Sequence, residues 1–341
     1  MNVSLRTLCL LFGITFIGCS IAGCHNNRNK EDDQQAAILS HPPYASLTDS
    51  LSKDKVADKA GIYFRRAELL SRNNLHELAV KDYQRSWEIV PDEYTATRYA
   101  STLAILGQTS QAIRLLTDCQ QRFPTNPSFP AMLGDIYQQM GRTSEALGVY
   151  DGLLKNDTSD FEAWYEKGLL LERQKDTAGA IRALGKAYQL QPVNTYALEL
   201  AHLYAEHRNA TALTICDKVL SKDSTHELLD PFFIKGIYYS NITQYKKAIA
   251  QFDSCIRRDW KFTDAYLEKG IALYQQKAYD TALNTFRMTI QVSNTNADGY
   301  FWAGRCYEVK GQKDEAIRYY RQALALDKDF SEAADRIKKL E

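Results

Sequence analysis

Residues 236–252 read GIYYSNITQYKKAIAQF, residues 270–286 read GIALYQQKAYDTALNTF, and residues 304–320 read GRCYEVKGQKDEAIRYY. Laid one under another at a step of 34, they keep glycine first and a tyrosine or leucine three places on. Alanine follows at twelve places and an aromatic ring at sixteen. The same frame extends toward the N-terminus. Alanine followed by Val, Ile or Leu recurs at Ala79, Ala112, Ala146, Ala180, Ala212, Ala248, Ala282 and Ala316, with steps of 33, 34, 34, 32, 36, 34 and 34. A second small residue precedes each by eleven or twelve places: Ala67, Ala100, Gly134, Gly168, Ala201, Gly236, Gly270 and Gly304. Within each half of the unit, apolar residues fall at i, i+3, i+4 and i+7, the signature of an amphipathic helix. Each unit is therefore a pair of helices. The two small residues let their backbones approach, and the bulky residues fill the grooves beside them. Gly107, Gly141 and Gly311 lie between the two helices, where the turn needs a permissive backbone.

This 34-residue unit, with its small–aromatic–alanine pattern and a proline ending the second helix at Pro91, Pro124 and Pro192, resembles the tetratricopeptide repeat. The resemblance covers residues 60–330, with unit starts at 60, 93, 127, 161, 194, 229, 263 and 297. It implies an all-α, right-handed superhelical solenoid of about eight helix hairpins that binds protein or peptide in a concave groove. Five units lack the closing proline, and the fifth has a shortened turn around His207, Arg208 and Asn209. Ala333, Ala334, Ile337 and Leu340 predict a capping helix over 331–341.

The N-terminus has a different composition. After Arg6, residues 8–17 form an apolar run too short to span a bilayer, which takes about 20 apolar residues. Small residues and an abrupt polar turn follow, the layout of a secretory signal peptide over 1–23. Ile21-Ala22-Gly23-Cys24 resembles the lipobox of bacterial lipoproteins, which implies cleavage before Cys24 and acylation of its thiol. Phe16-Ile17-Gly18-Cys19 is a weaker competing match, and an unlipidated or uncleaved leader remains an alternative. Residues 24–59 are polar, with Asn26, Asn27, Arg28 and Asn29, an acidic run at Glu31, Asp32 and Asp33, and Pro42-Pro43. They read as a flexible tether that holds the folded body off a membrane of the bacterial cell envelope.

Forty-two basic and forty-two acidic residues leave no global field to recruit nucleic acid. His76, His202, His207 and His226 have no metal spacing, and no phosphate loop, nucleophile elbow or carboxylate pair is present. The expectation is a non-enzyme without cofactor or metal. Cys119, Cys216, Cys255 and Cys306 read as small core residues, with a Cys216–Cys255 disulfide as the alternative.

Function is expected on the first helices, whose inward positions in the last three units carry Phe233 and Ile237, then Leu267, Ile271 and Tyr274, then Phe301 and Arg305. Asp230, Asp264 and Asp298 repeat beside them as an acidic rim. Read as exposed, this strip would take an apolar segment of a partner protein, with Arg305 and the aspartates setting register. Two alternatives stand beside it. The side chains could instead stitch neighbouring helices together, or Phe233, Tyr274 and Phe301 could stack on a glycan. The Lys, Asn and Arg clamp that some members of the family use for acidic chaperone tails is absent, which excludes that class of partner.

Overall fold

In the computed structural model the described residues are 33–53, 55–225 and 227–341. They form helices and turns only, and they divide into two compact units after Met140. Cys24 and the leader lie outside the described residues.

The first unit holds a helical stretch over 33–39 (α1), α2 (Ala45–Leu51), α3 (Lys59–Arg72), α4 (His76–Ile89), α5 (Glu93–Ile105), α6 (Thr109–Arg122) and α7 (Ser128–Gln139). The second holds α8 (Thr143–Asn156), α9 (Phe161–Arg173), α10 (Thr177–Leu190), α11 (Asn194–Glu206), α12 (Thr211–Leu220), α13 (Asp230–Asn241), α14 (Tyr245–Arg258), α15 (Thr263–Gln275), α16 (Tyr279–Val292), α17 (Ala297–Val309), α18 (Lys313–Leu326) and α19 (Ser331–Leu340). The fold class is all-α, built from tandem helix hairpins.

The small residues act at the helix crossings. A Cβ on Gly270 would stand 2.4 Å from the Phe286 ring, and one on Gly236 would stand 2.4 Å from the Phe252 ring. Real Cβ atoms do not approach so closely, so the ring at the sixteenth place fills the space the glycine vacates. Ala248, Ala282 and Ala316 are fully buried on the opposing helices.

Starts and turns are equally local. Asp58, Asp92, Asp160, Asp176 and Asn296 cap helices by accepting a bond from a backbone N–H three residues on. The turn inside each hairpin contains one residue at positive φ. Glycine fills it at Gly107, Gly141 and Gly311, whereas Asn74, Lys175, Arg208, Thr243 and Lys277 carry side chains there.

The tether expectation fails over residues 33–51, which fold onto the first hairpin. Tyr44 is buried, and Thr48 donates to the Leu39 carbonyl at 2.8 Å. Arg66 forks onto Asp82 at 2.6 and 2.7 Å and donates through a third nitrogen to Thr48 Oγ1 at 2.9 Å. A buried guanidinium must satisfy its donors, and the polar N-terminal segment supplies the last acceptor. At the other end α19 covers the final hairpin, with Ala333 buried and Phe330, Ile337 and Leu340 packed on the core.

Candidate functional site

The first helices of the second unit (α9, α11, α13, α15 and α17) present the face on which function is expected. Its apolar residues are not left to water. Ile237 and Phe301 are buried, and Phe233, Leu267, Ile271 and Tyr274 are half-buried against the core. The Phe233 ring lies 5.8 Å from that of Phe252 and 5.2 Å from that of Phe262. Phe301 lies 5.6 Å from Tyr320 and 4.9 Å from Phe330. Phe262 and Phe330 each precede the next helix and fold back over the ring of the previous unit. The expected exposed strip is therefore corrected: these residues join adjacent hairpins.

Neither do they form one group. Phe233 and Ile237 belong to a cluster that runs from α10 to α15, and the other four apolar residues to a cluster running from α15 to α19. Arg305 joins the second. Its guanidinium lies 5.6 Å from the Tyr274 ring, 5.7 Å from Trp302 and 6.0 Å from Phe301, and it donates to the Tyr274 hydroxyl at 3.3 Å. Glu308 is 3.9 Å away. Arg305 is thus held in place by rings and a carboxylate.

Carboxylates remain on this face. Asp230, Asp264 and Asp298 are exposed as the sequence suggests. Among them sits Glu268, recessed but reached by solvent, with no hydrogen bond or ion pair among the described residues. Burial pushes its carboxyl up to about 7, and the negative charges of Glu206, Asp264 and Asp298 add to the shift. Burial also raises Glu172, where Glu199 and Glu206 push the same way and His202 opposes. Partial desolvation by the surrounding protein raises the Asp298 carboxyl, exposed though the residue is, with Asp327, Glu332 and Asp264 adding to it. The Tyr165 hydroxyl is pushed up to about 12 by burial and then by Glu199 and Glu166.

The lysines of the same helices are turned elsewhere. Lys167 donates to Asp151 at 2.5 Å, Lys235 to Asp217 at 2.7 Å and Lys269 to Asp253 at 2.6 Å. Each lysine directly precedes the small glycine of its helix, and each aspartate sits on the second helix of the preceding hairpin. These clasps link successive units, and among the described residues no cation pairs with Glu268. The sequence carried a signal for them, Lys-Gly with Asp sixteen or eighteen residues earlier. Glu268 had no comparable signal, because its isolation depends on Glu206 and Asp298 from two other helices as well as Asp264 on its own.

The other chemistry-bearing groups stay apart. Cys119, Cys216, Cys255 and Cys306 are buried free thiols, each pushed up to about 12 by burial, so Cys216 and Cys255 are not bridged. His207 lies 3.1 Å from Thr177 Oγ1 and His202 lies 4.0 Å from Glu206, while His226 is outside the described residues. Among the described residues no three His, Cys, Asp or Glu side chains are placed to hold a metal. No helix there is long and apolar enough to cross a membrane.

Family models described as tetratricopeptide repeat match residues 131–195 and 235–294, and a second such model matches 297–330. Among curated proteins the chain is 21% identical to the Protein CTR9 homolog of Arabidopsis thaliana, over 90% of this chain and 29% of that protein. It is 24% identical to the peroxisomal targeting signal receptor of Kluyveromyces lactis, over 59% of this chain and 36% of the receptor. The chain therefore spans only a minor part of either relative. Among solved structures, a tetratricopeptide repeat protein from Parabacteroides merdae superposes with a TM-score of 0.62 at 17% identity. That match covers 72% of this chain and 97% of the other.

Proposed function

Since the chain is a tetratricopeptide repeat protein, we propose that it is a lipid-anchored, protein-binding scaffold whose second unit takes a cationic segment of a partner along its first helices. The observation that carries this reading is Glu268, a recessed carboxylate with no ion pair among the described residues and only other carboxylates shifting it. A recessed carboxylate among three others raises its own pKa, and an arriving lysine or arginine removes that penalty. The apolar segment expected from sequence loses its support, because Phe233, Ile237 and Phe301 already have partners. A glycan reading loses support on the same ground: Phe301 is buried, and the half-buried Phe233 and Tyr274 rings already pack on other rings.

The anchor rests on Ile21-Ala22-Gly23-Cys24, and a bacterial cell envelope location follows from it as part of the same proposal. Crosslinking and pull-down from native membranes tests both halves. Wild type should retain partners at low salt and release them as salt rises, since exposed charge pairs are screened over about 8–10 Å. Asp264→Asn, Glu268→Gln and Asp298→Asn together should abolish capture with helicity intact. Cys24→Ala should move the protein to the soluble fraction. Equal capture by the triple variant would remove the binding face, and an unmodified mature N-terminus at another residue would remove the anchor.

A further inference from the structure

A cleft of about 390 Å³ lies in the second unit, between α16 and the final hairpin of α17 and α18. Arg287, Arg318 and Lys310 line it. Arg287 donates to the Tyr307 hydroxyl at 2.5 Å, and its guanidinium lies 5.9 Å from that ring. Arg318 lies 5.9 Å from the Tyr319 ring, and the Tyr307 and Tyr319 rings are 5.1 Å apart. Among the described residues neither arginine is ion-paired with a carboxylate, whereas Lys310 is engaged by Asp280. Two cations are thus positioned by neutral phenols, and neither is held in an ion pair among the described residues.

The start of α18 opens on the same cleft. Gln312 stands at its cap position and lines the wall, but no side chain accepts a bond from the first-turn N–H groups. Such a terminus carries orphan donors and partial positive charge. Three carboxylates oppose: Asp280 and Glu315 line the cleft, Asp280 being engaged by Lys310, and Asp314 stands beside Glu315 in the first turn.

We infer that this cleft binds a phosphoryl group. Two separate guanidinium groups and a set of helix N–H donors suit a tetrahedral phosphoryl anion, which offers two terminal oxygens as a diester and three as a monoester. A single carboxylate would satisfy only one fork. The cleft shares no lining residue with the acidic cluster of Glu206, Asp264, Glu268 and Asp298. A phosphorylated small molecule and a phospholipid headgroup share this chemistry, and the probes separate them.

The test is calorimetry with inorganic phosphate on the full chain, with vesicles of phosphatidylglycerol or phosphatidylcholine as the lipid arm. Both use the Cys24→Ala chain, so that an acyl anchor does not dominate. Saturable one-to-one phosphate binding is expected for a small-molecule ligand, and preference for phosphatidylglycerol without phosphate binding for a headgroup. In either case Arg287→Gln and Arg318→Gln should each weaken binding at least tenfold, and Glu315→Gln should tighten it. Absence of binding to both probes would overturn the assignment, as would equal binding by the arginine variants or succinate binding as tightly as phosphate.

Discussion

Two recessed carboxylates in this chain have opposite fates. Asp82, in the first unit, is buried but held by both arms of Arg66, whose remaining nitrogen reaches Thr48. Burial raises its pKa, and the hydrogen bond and charge of Arg66 pull it back. Glu268, in the second unit, meets only other carboxylates. The first arrangement is what structure alone requires, since a buried charge must be paired and hydrogen-bonded. The second costs stability and brings no contact within the chain. The difference separates a charge that holds the fold together from one left open to a partner.

Breaking the paired carboxylate should give the largest effect. Asp82→Ala strands the Arg66 guanidinium and should cost about 3–5 kcal/mol, the usual penalty for removing one partner of a buried pair. Because each repeat contacts only its neighbours, hydrogen exchange should quicken in α2 to α4 and stay near wild type in α15 to α18. Uniform acceleration along the chain would show that the units do not open separately.

A smaller loss is expected at a crossing in the second unit. Gly270→Ala forces the Phe286 ring to move and should cost roughly 1–3 kcal/mol by overpacking. Thermal unfolding checks it, and an unchanged midpoint would mean that the ring swings aside freely.

The unpaired carboxylate should respond with the opposite sign. The folded-state pKa of Glu268 is raised to about 7, so the folded chain holds this proton more tightly than the unfolded one. Its contribution to stability is complete below about pH 4.5 and lost as pH rises through 7. Glu268→Gln should therefore stabilise the protein at pH 8, by roughly 1–2 kcal/mol after discounting for solvent screening, and change little at pH 4. Denaturant midpoints at the two pH values measure this, and destabilisation at pH 8 would reveal a hidden cation partner. The smallest effect belongs to the turn at Thr243, a β-branched residue at φ 63°. Thr243→Gly relieves that conformation and should add about 1 kcal/mol in the same measurement; a loss would mean that the threonine side chain contributes more than its backbone strain costs.

The hairpins were legible in sequence because their cause is local and repeated. A glycine at one crossing and a ring sixteen residues on, as in Gly270 and Phe286, set helix contact without distant information. Only three of the turns announced themselves through glycine. At Lys175, Arg208 and Lys277 the helices on either side impose the left-handed backbone on residues that do not prefer it. Residues 33–51 were illegible for another reason. Their helices are too short for periodicity to show, and their docking turns on Thr48 meeting Arg66 eighteen positions later. The face of the site was legible, its burial was not: whether Phe301 meets water depends on Phe330, and no pattern within one repeat encodes that cover.

The central claim is that the face around Glu268 waits for positive charge. Fluorescence anisotropy of a labelled ten-residue peptide of alternating lysine and leucine, titrated with the chain at pH 8 and pH 5.5, tests it directly. Protonation of Glu268 removes a negative charge from the face as pH falls, so wild type should bind severalfold more weakly at pH 5.5. Glu268→Gln should bind weakly at both, with most of the pH dependence gone. Binding that is unchanged or tighter at pH 5.5, or equal affinity for a peptide of alternating glutamate and leucine, would contradict the account.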